Sequence, residues 1–240
     1  HGLHCSSGPV SREYSQARGD PLTRKFAVIP VKGLIDSKSR LSRALPPQEK
    51  KKLVLAMLKD VLASVEESRL FSNVLVVSPD RSVETEINTK NATFVHQEGA
   101  GLNAGVRQAT LFAMSEKASS VAVLLADIPL IESRDLKELY SVSNAPRRVV
   151  LSPSLKGGTN VMIREPPDII ASAYGRWSYS NHLRAAQKKG IQVYSISNQR
   201  LSFDIDTPED LILIAKRDPQ ARTHTANALQ EKAVVHVART

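Results

Sequence analysis

The sequence predicts an α/β fold: a mixed, mostly parallel sheet with helices on both faces, built as one domain. Three observations point there. Short apolar runs of strand length alternate with longer segments whose apolar residues recur at helical spacing. The stretch Val121-Ala-Val-Leu-Leu-Ala-Asp-Ile-Pro-Leu130 is unbroken and apolar up to Asp127, the pattern of a strand buried on both faces. The 240 residues, 41% of them hydrophobic, suffice for one sizeable core.

Residues 1–25 mix Gly, Ser, Arg and Pro without a period and read as a poorly ordered arm. The domain is expected over 26–217. Its first strand is 26–29. A helix follows at 48–66, where Val54, Met57, Leu58, Val61, Leu62 and Val65 share one face. Residues 74–77 form a strand ended by Ser78-Pro79-Asp80, and 93–96 another. A helix at 102–116 carries a looser stripe of Val106, Ala109, Leu111, Ala113 and Met114. The strand leading to Asp127 comes next, then a helix over about 133–142. Two strands, 149–151 and 160–163, flank a Gly-Gly turn that suggests one antiparallel insertion. A helix at 179–189 ends at Gly190, a residue suited to the C′ position. After a strand at 192–196, Pro208 and Asp210 start the last helix, 207–216, in a capping-box-like pattern. Residues 218–240 read as a tail, in which 226–237 has enough pattern for a short helix or strand.

Composition excludes several classes. No apolar run approaches the roughly 18–20 residues that cross a bilayer, so no membrane partner is expected. The N-terminal residues show no apolar signal-peptide core. The single cysteine, Cys5, excludes an intrachain disulfide framework or a cysteine-based metal site and points to a reducing cytoplasm. The net charge of +9 is spread out with few interleaved aromatics. Nucleic-acid binding is therefore weakly signalled, and a basic cleft for a small anion explains the charge of the core equally well.

The chemistry-bearing residues gather at strand ends. Asp127 sits where its strand emerges, at the carboxyl edge where open α/β sheets bind ligands. A metal carrying a triphosphate would offset its charge; a helix cap or an arginine is the plainer partner. Lys32, Gly33, Lys38 and Arg40 follow the first strand and suit a triphosphate, although the loop is not a Walker A sequence. Asn103, in the glycine-rich opening of a helix, suits a cap or a base or ribose contact. Lys156-Gly-Gly-Thr-Asn160 suits a hairpin turn or a nest of N–H donors for an anion. Ser178 suits the N-cap of the helix carrying His182, whose free N–H groups are an alternative anion site. Asp204 and Asp206 are two apart, so in extended chain they share a face and can join Asp127 around a hard cation.

Together, Ser37-Lys-Ser-Arg-Leu41, Leu124-Leu-Ala-Asp-Ile-Pro-Leu130, Gly157-Gly-Thr-Asn160, the Gly175, Ser178 and His182 block, and Asp204-Ile-Asp-Thr-Pro-Glu-Asp-Leu211 resemble the CofC/FbiD guanylyltransferases of coenzyme F-420 biosynthesis. The resemblance spans about residues 26–216. It implies a single-domain nucleotidyltransferase fold related to the sugar-nucleotide transferases. It also implies a reaction joining GTP to 2-phospho-L-lactate with release of pyrophosphate, with phosphoenolpyruvate or 3-phosphoglycerate as alternative acids, and a homodimer. By residue match, Thr159, Gly175 and Ser178 would bind the phosphorylated acid. Asp127 and Asp206, with Asp204 as a third, would hold Mg2+. Lys38 and Arg40 would face the triphosphate, beside Lys32 and Asn103. Competing readings are a transferase acting on a sugar phosphate or a molybdenum cofactor precursor, a non-catalytic nucleotide-binding module, and a nucleic-acid binder using the basic arms.

Overall fold

The computed structural model describes residues 24–34, 38–218, 220 and 222–230. Most of the expected N-terminal arm, residues 35–37 of the basic loop, and 231–240 lie outside these. Along the chain come β1 (Lys25–Pro30), α1 (Pro47–Ser68), β2 (Asn73–Ser78), β3 (Ala92–His96), α2 (Leu102–Ser115), β4 (Ser120–Leu124) and α3 (Ser133–Ser141). They continue with β5 (Arg148–Pro153), β6 (Thr159–Glu165), α4 (Ser178–Lys188), β7 (Val193–Ser195), α5 (Pro208–Arg217) and α6 (His224–Gln230).

The strands form one sheet in the order β3-β2-β1-β4-β6-β5-β7. Every pairing is parallel except those of β6, which runs antiparallel to β4 and β5. That is the insertion expected from the Gly-Gly turn. Adjacent β1 and β4 run the same way, with Val28 opposite Val123. The loops leaving them therefore open on one edge of the sheet, and they carry Lys38 and Asp127.

Alternation along each strand separates two cores. Ala27, Ile29, Val74, Val76, Ala122 and Leu124 face α1, α3, α5 and α6, while Phe26, Val28, Leu75, Val77, Val121 and Val123 face α2 and α4. The six apolar residues expected on one face of α1 are all buried. Each contributes about 1.5–3 kcal/mol by leaving water.

Two expectations change. In α2 the buried stripe is Val106, Ala109 and Ala113, whereas Leu111 and Met114 are 54% and 37% exposed. A helix on a sheet buries a narrower stripe than the apolar content of α2 offers. The segment after residue 217, read as a tail, continues the fold through α6. Asp60 of α1 accepts hydrogen bonds from His224 N, Thr225 N and the Thr225 hydroxyl, and Leu229 is buried in the core. A buried carboxylate holding three donors anchors the helix start although α6 has little apolar period of its own.

Candidate active site

A cleft of about 520 Å3 opens at the carboxyl edge of β1 and β4. Lys32, Lys38, Arg40, Asp127, Gly175 and Asp206 lie on its wall, with Val54, Met57, Leu102 and Leu125 supplying apolar surface. Residues expected from four separate segments thus share one space. Backbone bonds hold the two acidic segments together. Ile205 N–H donates to the Asp127 carbonyl (3.0 Å), and Leu125 N–H donates to the Asn160 carbonyl (3.0 Å). Asn160 in turn donates from Nδ2 to the Leu201 carbonyl (2.9 Å). Arg200 clamps the same loop onto α3 through bidentate bonds to Asp135 (2.8 and 2.5 Å). Burial pulls the Asp135 carboxyl up, but Arg200 and its other donors outweigh this and hold it below its ordinary value.

Lys38 occupies the centre. Its Nζ lies 2.5 Å from Asp127 Oδ2 and 2.6 Å from Asp206 Oδ1. Its backbone is left-handed (φ 56), a costly conformation for a non-glycine residue, and the two ion pairs offset that cost. Burial lowers the Lys38 pKa, yet the two carboxylates raise it by more. Burial likewise pushes Asp206 up, while Lys38 holds it well below the usual carboxylate range. Asp204 is opposite: burial, then the nearby Asp127 and Asp206, push its carboxyl up to about 7.

Lys156 adds a second cation to the acidic cluster that the sequence does not mark. It sits on the β5–β6 turn and donates to Asp210 (2.9 Å), with Asp206 and Asp204 at 3.9 and 4.0 Å. Its partners lie some fifty residues along the chain, so no local pattern signals it. Asp210 closes the expected capping box, accepting from the backbone N–H groups of Asp206 and Thr207 at 2.9 Å each.

Several expected residues are placed differently. Asp204 is buried beside Asp206, off the cleft wall. Thr159 and Ser178 are 1% and 2% exposed and also lie off this wall, beneath Gly158 and the Trp177 turn. Ser178 is the first residue of α4; the capping position belongs to Trp177, at φ 61. The Ser178 hydroxyl points instead to Thr159 Oγ1 at 3.4 Å. Asn103 is no cap either: Gly101 precedes α2, and both ends of the Asn103 amide grip the backbone of Tyr174 (2.8 and 2.9 Å). The backbone N–H groups of Lys156, Gly157 and Gly158 all donate to Ser154, so the hairpin reading prevails over the anion nest. Gly157 takes φ +81, and a Cβ there would meet the Trp177 ring at 3.1 Å. Gly33 shows no such need.

Among the described residues no three His, Cys, Asp or Glu side chains converge as a ready-made metal cage. Lys38 fills the gap between Asp127 and Asp206 that was expected to hold Mg2+. The donor set nonetheless fits a hard divalent cation. Asp127 Oδ1 and Asp204 Oδ1 are buried with no hydrogen-bond partner among the described residues. Asp127, Asp206 and Asp210, with Asp204 beside them, outnumber the ammoniums of Lys38 and Lys156 and leave the cluster net negative. Mg2+ commonly takes only one or two protein carboxylates and completes its shell with water and substrate phosphates.

The sheet order, the acid at the end of β4 and the cationic loop after β1 define the nucleotidyltransferase class. Solved structures agree on the fold. A nucleotide-diphospho-sugar transferase from Desulfovibrio desulfuricans G20 superposes with a TM-score of 0.69 at 17% identity, covering 87% of this chain and 95% of its own. A cytidylyltransferase from Leptospira borgpetersenii gives 0.59 at 13% identity, covering 90% and 94%. Residues 25–231 match the family described as guanylyl transferase, CofC-like, and the chain belongs to that family. Its relatives include a phosphoenolpyruvate guanylyltransferase from Rubrobacter xylanophilus, 38% identical over 78% of this chain and 91% of the relative. A 2-phospho-L-lactate guanylyltransferase from Methanocaldococcus jannaschii is 32% identical over 85% and 87%.

Proposed function

We propose that the protein transfers the guanylyl group of GTP to a small phosphorylated three-carbon acid and releases pyrophosphate, as a step toward coenzyme F-420. The observation that carries this reading is the single cleft holding Lys32, Lys38 and Arg40 against Asp127 and Asp206 in a chain of the CofC-like family. The acid is 2-phospho-L-lactate on the resemblance of the site motifs. Phosphoenolpyruvate is the second reading, favoured by the higher identity to the Rubrobacter relative.

A phosphate oxygen of the acid forms a bond to the α-phosphorus of GTP as the bond to the β-phosphate bridging oxygen breaks, and pyrophosphate leaves with that electron pair. The attacking phosphate is already anionic, so no side chain has to remove a proton. The work of the chain is alignment and charge neutralisation. Lys32 and Arg40, both exposed on the cleft wall, would bind the triphosphate. Lys38 would stabilise charge on the departing pyrophosphate. Gly175 on the wall, with Thr159 and Ser178 beneath it, would hold the acid, and the backbone of Gly175 (φ +133) accepts no other residue without strain. Asn103 would position this segment through Tyr174 rather than touch the nucleotide. Asp127 and Asp206 would hold Mg2+, with Asp204 behind them. The ion, when bound, would neutralise the triphosphate and polarise its α-phosphorus. A homodimer in the cytoplasm completes the reading. Among the described residues no helix is long and apolar enough to cross a membrane.

The test is pyrophosphate release from GTP and Mg2+ with 2-phospho-L-lactate, phosphoenolpyruvate and 3-phosphoglycerate in separate reactions. Release with one of the first two supports the reading. Release with none, or equally without any acid, overturns it.

A further inference from the structure

We infer that His182 is the positioning residue of the acid cradle: its neutral ring donates from Nδ1 to the Thr159 hydroxyl and so turns the Thr159 hydrogen toward the acidic group of the substrate. This rests on the reading of Thr159, Gly175 and Ser178 as that cradle.

The geometry fixes the tautomer. The backbone N–H of Ala173 can only donate, and it lies 2.8 Å from His182 Nε2. Nε2 is therefore the acceptor, and a neutral ring must carry its hydrogen on Nδ1. Nδ1 lies 3.0 Å from Thr159 Oγ1, so this hydroxyl accepts from the ring. It also receives the Ser178 hydroxyl at 3.4 Å. With both lone pairs engaged, Thr159 has one hydrogen left to donate, and no described residue accepts it. Phosphate and carboxylate groups only accept, so a hydroxyl forced to donate matches them. The opposite tautomer would turn a lone pair of Thr159 toward the substrate oxygen and repel it.

His182 also joins the three residues of the cradle. It lies one helical turn after Ser178 on α4, bonds Thr159 on β6, and holds Ala173 two residues before Gly175. The ring is fully buried and meets Tyr174 edge to face at 5.0 Å, which fixes its plane. Asn103 grips the same loop from α2. Thr159 is closed over in this state, so acid binding also shifts the neighbouring turn of Trp177, the only tryptophan of the chain.

Two substitutions separate orientation from bulk structure. Asn at 182 places an amide donor near the position of Nδ1, while Gln places its terminal group near Nε2. His182→Asn keeps the bond to Thr159 and loses that to Ala173; His182→Gln does the reverse. The expected result is an acid KM within about threefold of wild type for His182→Asn and raised about tenfold or more for His182→Gln. The GTP KM stays unchanged in both. In a Thr159→Val background the two variants become equal. Titration of Trp177 fluorescence with phosphoenolpyruvate and with 2-phospho-L-lactate, without GTP, gives the same comparison independently of turnover. Equal acid affinities for the Asn and Gln variants would overturn the inference. A wild-type protein that binds neither acid would overturn the cradle reading beneath it.

Discussion

Replacing Lys38 by methionine removes the ammonium that bridges Asp127 and Asp206 and leaves their carboxylates facing each other. The side chains are 11%, 22% and 32% exposed, so the pairs are partly screened. Breaking a fully buried pair costs about 3–5 kcal/mol; discounted for this exposure, the loss is about 2–3 kcal/mol. For a domain of this size that lowers Tm by on the order of 5–10 °C. The same change deepens the negative potential of the cleft, so a divalent cation gains what the lysine gave up. At one hundred times its Kd, Mg2+ restores about 2.7 kcal/mol. Thermal unfolding of both proteins, in chelator and in a Mg2+ series, reads both quantities. The variant should melt well below wild type in chelator and respond to Mg2+ more strongly, while turnover falls about a hundredfold or more. A variant with unchanged Tm in chelator and a Mg2+ response no larger than wild type would refute the electrostatic account of the cleft.

Asp127→Asn should abolish turnover, measured by pyrophosphate release, while the fold is retained by circular dichroism; a near-normal rate would remove the metal-binding role. Burial first, then the positive Arg164, pull the His182 ring from its ordinary 6.5 down to about 4, so the fold favours the neutral form. Its contribution is complete above pH 6.5 and lost as pH falls toward 4, about 3 kcal/mol in all. Denaturant midpoints across that range should fall further for wild type than for His182→Asn; parallel curves would contradict this. Asp60→Ala strands three donors at the start of α6 and should cost about 2–4 kcal/mol in chemical denaturation. An unchanged midpoint would show that α6 adds nothing to the core.

Where local physics decides, sequence and structure agree. The run into Asp127 is buried because β4 lies at the centre of the sheet, and α1 buries its whole expected stripe. Pro208 and Asp210 start α5 because the capping box is built from neighbours in the chain. The differences arise where a distant partner decides. Ser154 takes the turn N–H groups that otherwise suit an anion, and Tyr174 takes the Asn103 amide. Ser178 turns to Thr159, leaving Trp177 to begin α4 in a left-handed conformation. Lys156 and Arg200 reach carboxylates that no periodicity links to them. The acidic cluster is readable as residue types at strand ends; the lysine inside it is not, because its carboxylate partners lie 89 and 168 residues along the chain.

Guanylyl transfer within the Lys38–Asp127–Asp206 cleft can be followed by 31P NMR of protein, GTP, Mg2+ and phosphorylated acid. Pyrophosphate should appear together with a new pair of coupled diphosphate signals, only when 2-phospho-L-lactate or phosphoenolpyruvate is present and not with Asp127→Asn. GTP that persists with every acid, or that yields GDP and inorganic phosphate whichever acid is added, would contradict it.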